Sequence, residues 1–384
     1  MTKTIMEGSI AVATTAARCG IEVVAAYPIT PSTHIPEELS KVQKEHGYEF
    51  VPVEAEFSAI SALIGASAAG ARTFTATSSQ GLLLMHEALH NASGLRLPIV
   101  MAVAMRSIGA PLNIWTDWQD AMYQRDTGWI QLHCKNNQEA VDTLIQAFRI
   151  AEKSKFPIMV CFEGHYLTHE ISAIDLPEKK EIAKFLPKYK PEDSLETGNP
   201  MTFGEFMPPK YYQEYKEEQH REMLESMDVI SEVAKEFEKK FGRKQFPIVE
   251  KYMCDDAEII YISMNALAEN IENVVDSLRK KGEKAGLLRI KCFRPFPKEA
   301  ISHAIEGKKH VIIMEKDISM GIEGVLSSEI KVALFECKDC TVSKSGKMGI
   351  LNVICGLGGK DVTLQQIESL YERAKKGEEG FAWL

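Results

Sequence analysis

Three polar side chains in the first third of the chain follow short apolar runs, where a ligand could reach them. Two prolines flank Ile29 and Thr30 and would fix that backbone, Glu56 begins a run of small residues, and Arg106 follows an apolar stretch. A partly buried carboxylate can move protons, and a guanidinium can clamp a carboxylate through two parallel hydrogen bonds. The simpler alternatives stay open: a stiff turn, an acid satisfied by a helix dipole and a surface ion pair.

A second constellation, His86-Glu87-Ala-Leu-His90, matches the HExxH pattern of zinc hydrolases. On a helix the two histidines would share one face and could bind zinc, with Glu87 as the general base. The pattern is short and recurs by chance, and no obvious third ligand follows it. We therefore keep a zinc hydrolase as a remote alternative and predict no metal site on this chain.

Two late motifs carry weaker signals. Cys337 and Cys340 form a single CxxC pair, whereas a zinc or iron–sulfur site needs four ligands, so we expect no cluster on this chain. The Gly-Leu-Gly-Gly segment at residues 356–359 follows a predicted strand and could cradle a phosphate, but such segments are more often tight turns.

Composition narrows the class of protein. The 384 residues carry a formal net charge of −9, from 45 Lys and Arg against 54 Asp and Glu. No basic cluster is dense enough to predict nucleic-acid binding, and no run of 18 apolar residues predicts a membrane span. The N-terminus lacks the apolar core of a signal peptide, and the eight cysteines are scattered. We expect a cytoplasmic protein with reduced thiols and no membrane partner.

The elements that must position these residues alternate between strand-length apolar runs and helix-compatible segments. This alternation predicts an α/β fold with parallel sheets covered by helices. The expected strands are residues 23–27, 73–77, 98–103 and 157–162 in the first part, and residues 258–263, 285–290, 310–314 and 349–354 in the second.

The middle of the chain is rich in proline and charge. Within it, apolar residues recur at helical spacing up to Phe241, and Gly242 follows, which predicts one amphipathic helix and its end. We therefore divide the chain into a first domain of residues 1–170, a linker of residues 171–255 whose helix packs on the first domain or on a partner, and a second domain of residues 256–384.

Considered together, several motifs resemble those of one family. The matching segments are Tyr27-Pro-Ile-Thr-Pro-Ser-Thr33, Val53-Glu-Ala-Glu56, residues 75–85, residues 113–120, residues 124–128, Phe293-Arg-Pro-Phe-Pro297 and residues 356–359. They extend over nearly the whole chain and are jointly specific. The chain resembles the alpha subunit of the multi-subunit pyruvate:ferredoxin oxidoreductase family.

This resemblance implies a pyrimidine-binding thiamine diphosphate domain followed by an α/β domain like the C-terminal domain of transketolases. It implies oxidative decarboxylation of pyruvate with coenzyme A to acetyl-CoA and carbon dioxide, with electrons passing to ferredoxin. The thiamine diphosphate would be shared with a beta subunit. Mg²⁺ and iron–sulfur (4Fe–4S) clusters would lie on partner subunits, which also include gamma and ferredoxin-like delta chains, so this chain would be active only in the complex.

Residue by residue, the resemblance assigns roles to the three candidates. Glu56 matches the glutamate that contacts the aminopyrimidine ring, Thr30 the threonine that faces substrate and cofactor, and Arg106 the arginine that binds the substrate carboxylate. Besides Glu56, the residues expected to line the cofactor cleft are Tyr27, Pro28, Ile29, Ser79, Gln80 and Gly81.

Alternatives within and beyond this class remain. A branched-chain 2-oxoacid:ferredoxin oxidoreductase would share the motifs, although the Ser-Ser-Gln-Gly-Leu-Leu-Leu segment favours pyruvate. A non-catalytic scaffold with the same fold is a further alternative. The segment Ser263-Met264-Asn265 departs from the Gly-Ser turn that is commoner in relatives, so no role in subunit or coenzyme A contact is assigned to it. Reaction direction and copy number are not specified by the sequence.

Overall fold

The computed structural model describes residues 3–336 and 348–384 of the chain. Within these ranges it forms two large sheets covered by helices and a separate two-stranded ribbon, which confirms the predicted α/β class. The pair Cys337 and Cys340 lies outside the described residues.

Strands and helices alternate through the first part of the chain. In order they are β1 (Thr4–Glu7), α1 (Gly8–Arg18), β2 (Val23–Ala26), α2 (His34–His46), β3 (Glu49–Pro52), α3 (Glu56–Ala68), β4 (Thr73–Thr77), α4 (Ser79–Leu84), α5 (His86–Gly94), β5 (Val100–Met105), α6 (Gln119–Met122), β6 (Ile130–His133), α7 (Asn137–Ser154), β7 (Ile158–Glu163) and α8 (Tyr166–His169).

The same alternation continues after a stretch dominated by one long helix. The elements are β8 (Ile171–Ile174), α9 (Lys179–Phe185), α10 (Pro209–Phe241), β9 (Val249–Tyr252), β10 (Ile259–Ser263), α11 (Asn265–Lys280), β11 (Ala285–Ile290), β12 (Cys292–Arg294), α12 (Lys298–Ile305), β13 (His310–Glu315), α13 (Val325–Glu336), β14 (Gly349–Ile354), a 3₁₀ turn (Leu357–Gly359), α14 (Leu364–Lys375) and β15 (Gly380–Trp383).

The first sheet has seven strands in the order β12-β6-β7-β5-β4-β2-β3. Its six strands from the first part of the chain run parallel, and β12 pairs antiparallel with β6 at one edge. Strands β5 and β7 are buried along their whole length, as parallel strands covered on both faces must be. The carboxyl ends of β5, β4, β2 and β3 therefore lie side by side.

Among the described residues, the second sheet has six strands in the order β15-β14-β13-β10-β11-β9, of which only β9 is antiparallel to its neighbour. Two strands connect the predicted domains. Strand β9 belongs to the second sheet although it lies in the range 171–255, and β12 belongs to the first sheet although it lies in the range 256–384. The division into 1–170, 171–255 and 256–384 stays a prediction.

Helix α10 is the amphipathic helix expected from the middle of the chain. Its residues Ile230, Phe237 and Phe241 are buried, and it packs against α7 of the first sheet. It ends where Gly242 adopts a left-handed conformation with φ of 71°, as the sequence indicates. None of the helices in the described ranges is both long and apolar enough to cross a membrane.

A buried ionic cluster joins the two sheets. Arg289 on β11 is fully buried, and its Nε lies 2.7 Å from Glu250 on β9. Its two terminal nitrogens donate to Glu139 on α7 at 3.0 and 2.9 Å, and Lys291 lies 3.1 Å from the same carboxylate. Burial alone would raise the pKa of Glu139, but Arg289 and Lys291 outweigh it and lower that pKa to about 2. Glu139 therefore stays ionised at neutral pH.

We predict that Arg289→Met destabilises the chain strongly, because it leaves Glu139 and Glu250 buried without their shared cation. Removing one partner of a buried pair costs about 3–5 kcal/mol of the free energy of unfolding. Urea denaturation of the full chain measures this loss. Arg373→Met, which removes the exposed pair with Glu378, is the control and should cost about 1 kcal/mol or less. Equal losses in the two variants would contradict the assigned role of Arg289.

Candidate functional site

The sequence-predicted residues meet at one edge of the first sheet. Residues 27–30 follow β2, Glu56 begins α3 shortly after β3, residues 79–81 follow β4, and Arg106 follows β5. These four strands are neighbours and parallel, so the segments after them emerge at the same side. This edge is where open α/β sheets bind ligands.

Glu56 lies in a space that a glycine leaves for it. Its side chain is only 6% exposed, and a Cβ added to Gly81 would lie 2.4 Å from its Oε1 and 2.7 Å from Oγ1 of Thr77. Any larger residue at position 81 would displace the carboxyl group. The first turn of α4 therefore packs directly against the first turn of α3, and glycine at position 81 allows this close approach.

The carboxyl group of Glu56 has little to stabilise its charge. Burial raises its pKa above the usual value, and only its own backbone N–H acts in the opposite direction. In the part of the chain that the structure describes, no cation forms an ion pair with it. Such a group holds a proton more readily than a solvated glutamate and can exchange it with a ligand.

Arg106 is held by backbone oxygens rather than by a carboxylate. Its side chain is 5% exposed, with Nη1 donating to the carbonyl of Thr30 at 2.8 Å and Nε donating to the carbonyl of Asn113 at 2.9 Å. Burial lowers its pKa, and Asp120 opposes that effect. Within residues 3–336 and 348–384, its guanidinium has no ion-pair partner and its Nη2 no hydrogen-bond partner. The arrangement can bind an anionic group.

The loop after β2 reaches the same place. Thr30 is exposed, and its carbonyl accepts the bond from Arg106, so the structure brings these two predicted residues together. Ser32 closes the loop by donating its backbone N–H and its hydroxyl to the carbonyl of Ile29 at 2.9 and 2.8 Å. Tyr27 and Pro28 are exposed beside it and Ile29 is half-buried, which leaves this loop available to a ligand.

The segment Ser79-Gln80-Gly81 forms the first turn of α4. Ser79 has φ of 50°, a left-handed conformation that costs a non-glycine residue about 1–2 kcal/mol. Its hydroxyl donates to the carbonyl of Ser107, which ties this turn to the segment after β5. A fixed backbone at Ser79 places Gly81 against Glu56.

Asp120 is a site residue to which the sequence gave no role. It is fully buried, and its Oδ2 accepts the backbone N–H groups of Ser79 at 2.7 Å and Arg106 at 3.0 Å, while Oδ1 accepts that of Ala121 at 2.8 Å. Burial, with a contribution from Asp117, raises its pKa to about 7. The only available signal was an acidic residue inside the matched segment of residues 113–120.

The second half of the chain contacts this site through the turn at residues 356–359. The backbone N–H of Gly358 donates to Oδ2 of Asp117 at 3.2 Å, and that of Gly359 donates to the carbonyl of Thr116 at 2.8 Å. Asn113 Nδ2 donates to the carbonyl of Gly358 at 3.0 Å. The two N–H groups are thus taken by protein acceptors rather than presented to a phosphate.

The remaining candidates lie elsewhere. His86 and His90 pack edge to face with ring centroids 5.1 Å apart, and Nδ1 of His86 lies 2.6 Å from Oε1 of Gln124. Among the described residues, no three His, Cys, Asp or Glu side chains form a group that could hold a metal ion. The segment 263–265 faces the first sheet, because Oδ1 of Asn265 lies 3.2 Å from Nδ1 of the buried His133.

Two family models match the chain. Residues 14–235 match the pyruvate flavodoxin/ferredoxin oxidoreductase thiamine diphosphate-binding model, and residues 257–367 match core domain II of pyruvate:ferredoxin oxidoreductase. A pyruvate synthase subunit PorA of Methanosarcina barkeri is 46% identical over 97% of this chain and 92% of its own length. A ketoisovalerate oxidoreductase subunit VorA of Pyrococcus abyssi is 39% identical over 97% and 94%, respectively.

Solved structures share the fold. A 2-oxoglutarate:ferredoxin oxidoreductase from Magnetococcus marinus superimposes with a TM-score of 0.75 at 21% identity and covers 97% of this chain, which spans 65% of the length of that chain. A split-gene transketolase superimposes with a TM-score of 0.56 at 11% identity over 97% of this chain and 99% of its own. At these identities the likeness concerns the fold alone.

Proposed function

This chain belongs to the pyruvate flavodoxin/ferredoxin oxidoreductase family, and we propose that it is the alpha subunit of a pyruvate synthase. In this role it supplies the pyrimidine-binding half of a thiamine diphosphate site in an enzyme that converts pyruvate and coenzyme A to acetyl-CoA and carbon dioxide, with electrons passing to ferredoxin. The observation that carries the proposal is the buried, unneutralised carboxyl group of Glu56 in the space left by Gly81.

The residues present fit the cofactor. Thiamine diphosphate, when bound, supplies an electron sink for decarboxylation of a 2-oxoacid. Glu56 would hold the aminopyrimidine ring, and burial, which raises its pKa, suits a carboxyl group that must hold a proton and exchange it with the ring. Residues 27–29 and 79–81 would form the walls of the cleft on either side of it.

Arg106 and Thr30 would hold the substrate. The guanidinium of Arg106 is braced by two carbonyls and still has donors to offer, so it suits the carboxylate of a 2-oxoacid. The exposed hydroxyl of Thr30 lies on the same loop and would donate to an oxygen that gains negative charge during the reaction. Arg106 would thus bind the substrate, and Thr30 would face both the substrate and the cofactor.

The wider assembly belongs to the same proposal. A beta subunit would hold the diphosphate, Mg²⁺ and a 4Fe–4S cluster, with gamma and ferredoxin-like delta subunits completing a cytoplasmic complex that reduces ferredoxin. Large apolar side chains that are exposed near the site support a partner at this edge: Tyr27, Phe57, Leu84, Leu112 and Trp115.

We propose pyruvate rather than a branched-chain 2-oxoacid as the substrate. This choice follows from the relatives, because the pyruvate synthase subunit is more similar to this chain than the ketoisovalerate oxidoreductase subunit is.

Glu56→Gln in the reconstituted complex tests this function. The amide keeps the size of the side chain but cannot exchange a proton, so the turnover number should fall by about 10²–10⁴-fold while the complex assembles normally. The matched control is Glu54→Gln, an exposed glutamate two residues earlier, which should leave turnover within about twofold. Near-normal turnover of the Glu56 variant would show that this carboxyl group does not serve the reaction.

Arg106→Lys should weaken the use of the 2-oxoacid. Lysine keeps the charge but loses the planar fork, and the loss of a charge-assisted hydrogen bond of about 1.5–3 kcal/mol lowers kcat/KM by roughly 10–100-fold. The KM for coenzyme A should stay unchanged. Steady-state kinetics with each substrate varied in turn measures both effects, with Arg373→Lys, in an exposed ion pair, as the control. Unchanged 2-oxoacid kinetics would remove Arg106 from the site.

A further inference from the structure

A single carboxylate oxygen joins the segments that follow two adjacent strands. Oδ2 of Asp120 accepts the backbone N–H of Ser79 after β4 and that of Arg106 after β5, at 2.7 and 3.0 Å. Asp120 itself begins the short helix α6 with Gln119, and its Oδ1 accepts the N–H of Ala121. The segment after β4 and the connection between β5 and β6 therefore converge on one buried side chain.

The three bonds need a side chain with two acceptor oxygens. All three partners are N–H donors, and a carboxyl group can accept through both of its oxygens, whereas an amide has only one. An asparagine at position 120 would offer one oxygen, and its amide N–H₂ would face at least one of the backbone N–H groups. A buried N–H group without an acceptor is unfavourable, so the loops would shift to relieve the conflict.

Among the described residues, Asp120 is the acceptor for the backbone N–H groups of both Arg106 and Ser79, in addition to the bond from the Ser79 hydroxyl to Ser107. The backbone of Arg106 is fixed by Asp120, and its guanidinium is then directed by the carbonyls of Thr30 and Asn113. Ser79 is held at φ of 50° with its N–H on the same oxygen, two residues before the glycine that makes room for Glu56. Displacement of Asp120 would therefore move both Arg106 and the turn that makes room for Glu56.

We propose that Asp120 is the positioning residue of the site, which holds the arginine that binds the 2-oxoacid carboxylate and the turn that accommodates Glu56. This inference rests on the proposed function, because the roles of Arg106 and Glu56 come from it. Asp120 is buried beneath these residues and acts through them. Its effect on the substrate is therefore transmitted by Arg106.

The test compares Asp120→Asn with Asp142→Asn in the reconstituted complex. Asp142 is also a buried aspartate, but it lies on α7 and pairs with Arg243. Three quantities are measured: the KM for pyruvate, the KM for coenzyme A, and, by calorimetry, the Kd of oxamate, an unreactive isostere of pyruvate. For Asp120→Asn we expect the KM for pyruvate and the Kd of oxamate to rise by about 10–100-fold, because an ångström-scale displacement has effects of that size. The KM for coenzyme A should stay unchanged, and Asp142→Asn should change none of these values.

A double variant distinguishes an effect that acts through the position of Arg106 from a nonspecific disturbance of the structure. In the Arg106→Lys background, Asp120→Asn should raise the Kd of oxamate by less than twofold further, because the fork that Asp120 aims is already absent. An unchanged Kd in the single Asp120 variant, or its full effect repeated in the Arg106→Lys background, would overturn the inference. If the Asp120→Asn complex does not assemble, Asp120→Glu, which keeps the charge but moves the oxygens, is measured with the same expectations.

Different results would refute the proposed function and the positioning role of Asp120. If Arg106→Lys alone leaves the Kd of oxamate and the KM for pyruvate unchanged, the substrate role of Arg106 is wrong. If Arg106→Lys raises both values and Asp120→Asn and Asp120→Glu do not, the substrate role stands and the positioning role of Asp120 is wrong.

Discussion

Buried backbone N–H groups need acceptors, and at the carboxyl edge of the first sheet two of them depend on the same oxygen of Asp120. Parallel strands end at one edge, but their following segments diverge unless something ties them together. Here the carboxyl group of Asp120 fixes the backbone of Ser79 after β4 and of Arg106 after β5. Glu56 then lies opposite Gly81, and the guanidinium of Arg106 lies against the carbonyl of Thr30.

The second half of the chain stabilises this edge without supplying the predicted site residues. Asn113 is the link, because its carbonyl accepts from Arg106 while its side chain donates to Gly358. A buried ion pair between Lys316 and Glu163, with Nζ and Oε2 2.7 Å apart, and the bond from the N–H of Trp118 to the carbonyl of Lys316 hold the same loop. The geometry around Arg106 therefore depends on both sheets.

Local sequence signals were sufficient for the eight strands predicted and for the residues at strand ends, but not for short strands such as β6 and β15. The predicted run at residues 258–263 contains strand β10, and Gly242 ends α10. The exchange of β9 and β12 between the sheets was not predictable from these signals, because it depends on pairing across the chain. For the same reason the sequence gave Asp120 no role: its partners lie 14 and 41 residues away and are backbone groups.

We propose that this edge of the first sheet serves a 2-oxoacid:ferredoxin oxidoreductase that uses pyruvate. The most direct test of this proposal is kcat/KM of the reconstituted complex, with coenzyme A and ferredoxin, for pyruvate, 2-oxoisovalerate and 2-oxoglutarate. We expect pyruvate to give the highest value, by at least about tenfold, because one additional methylene in a fitted pocket changes discrimination by about 10–200-fold. A higher value for 2-oxoisovalerate or 2-oxoglutarate, or no ferredoxin reduction with any of the three, would contradict the account.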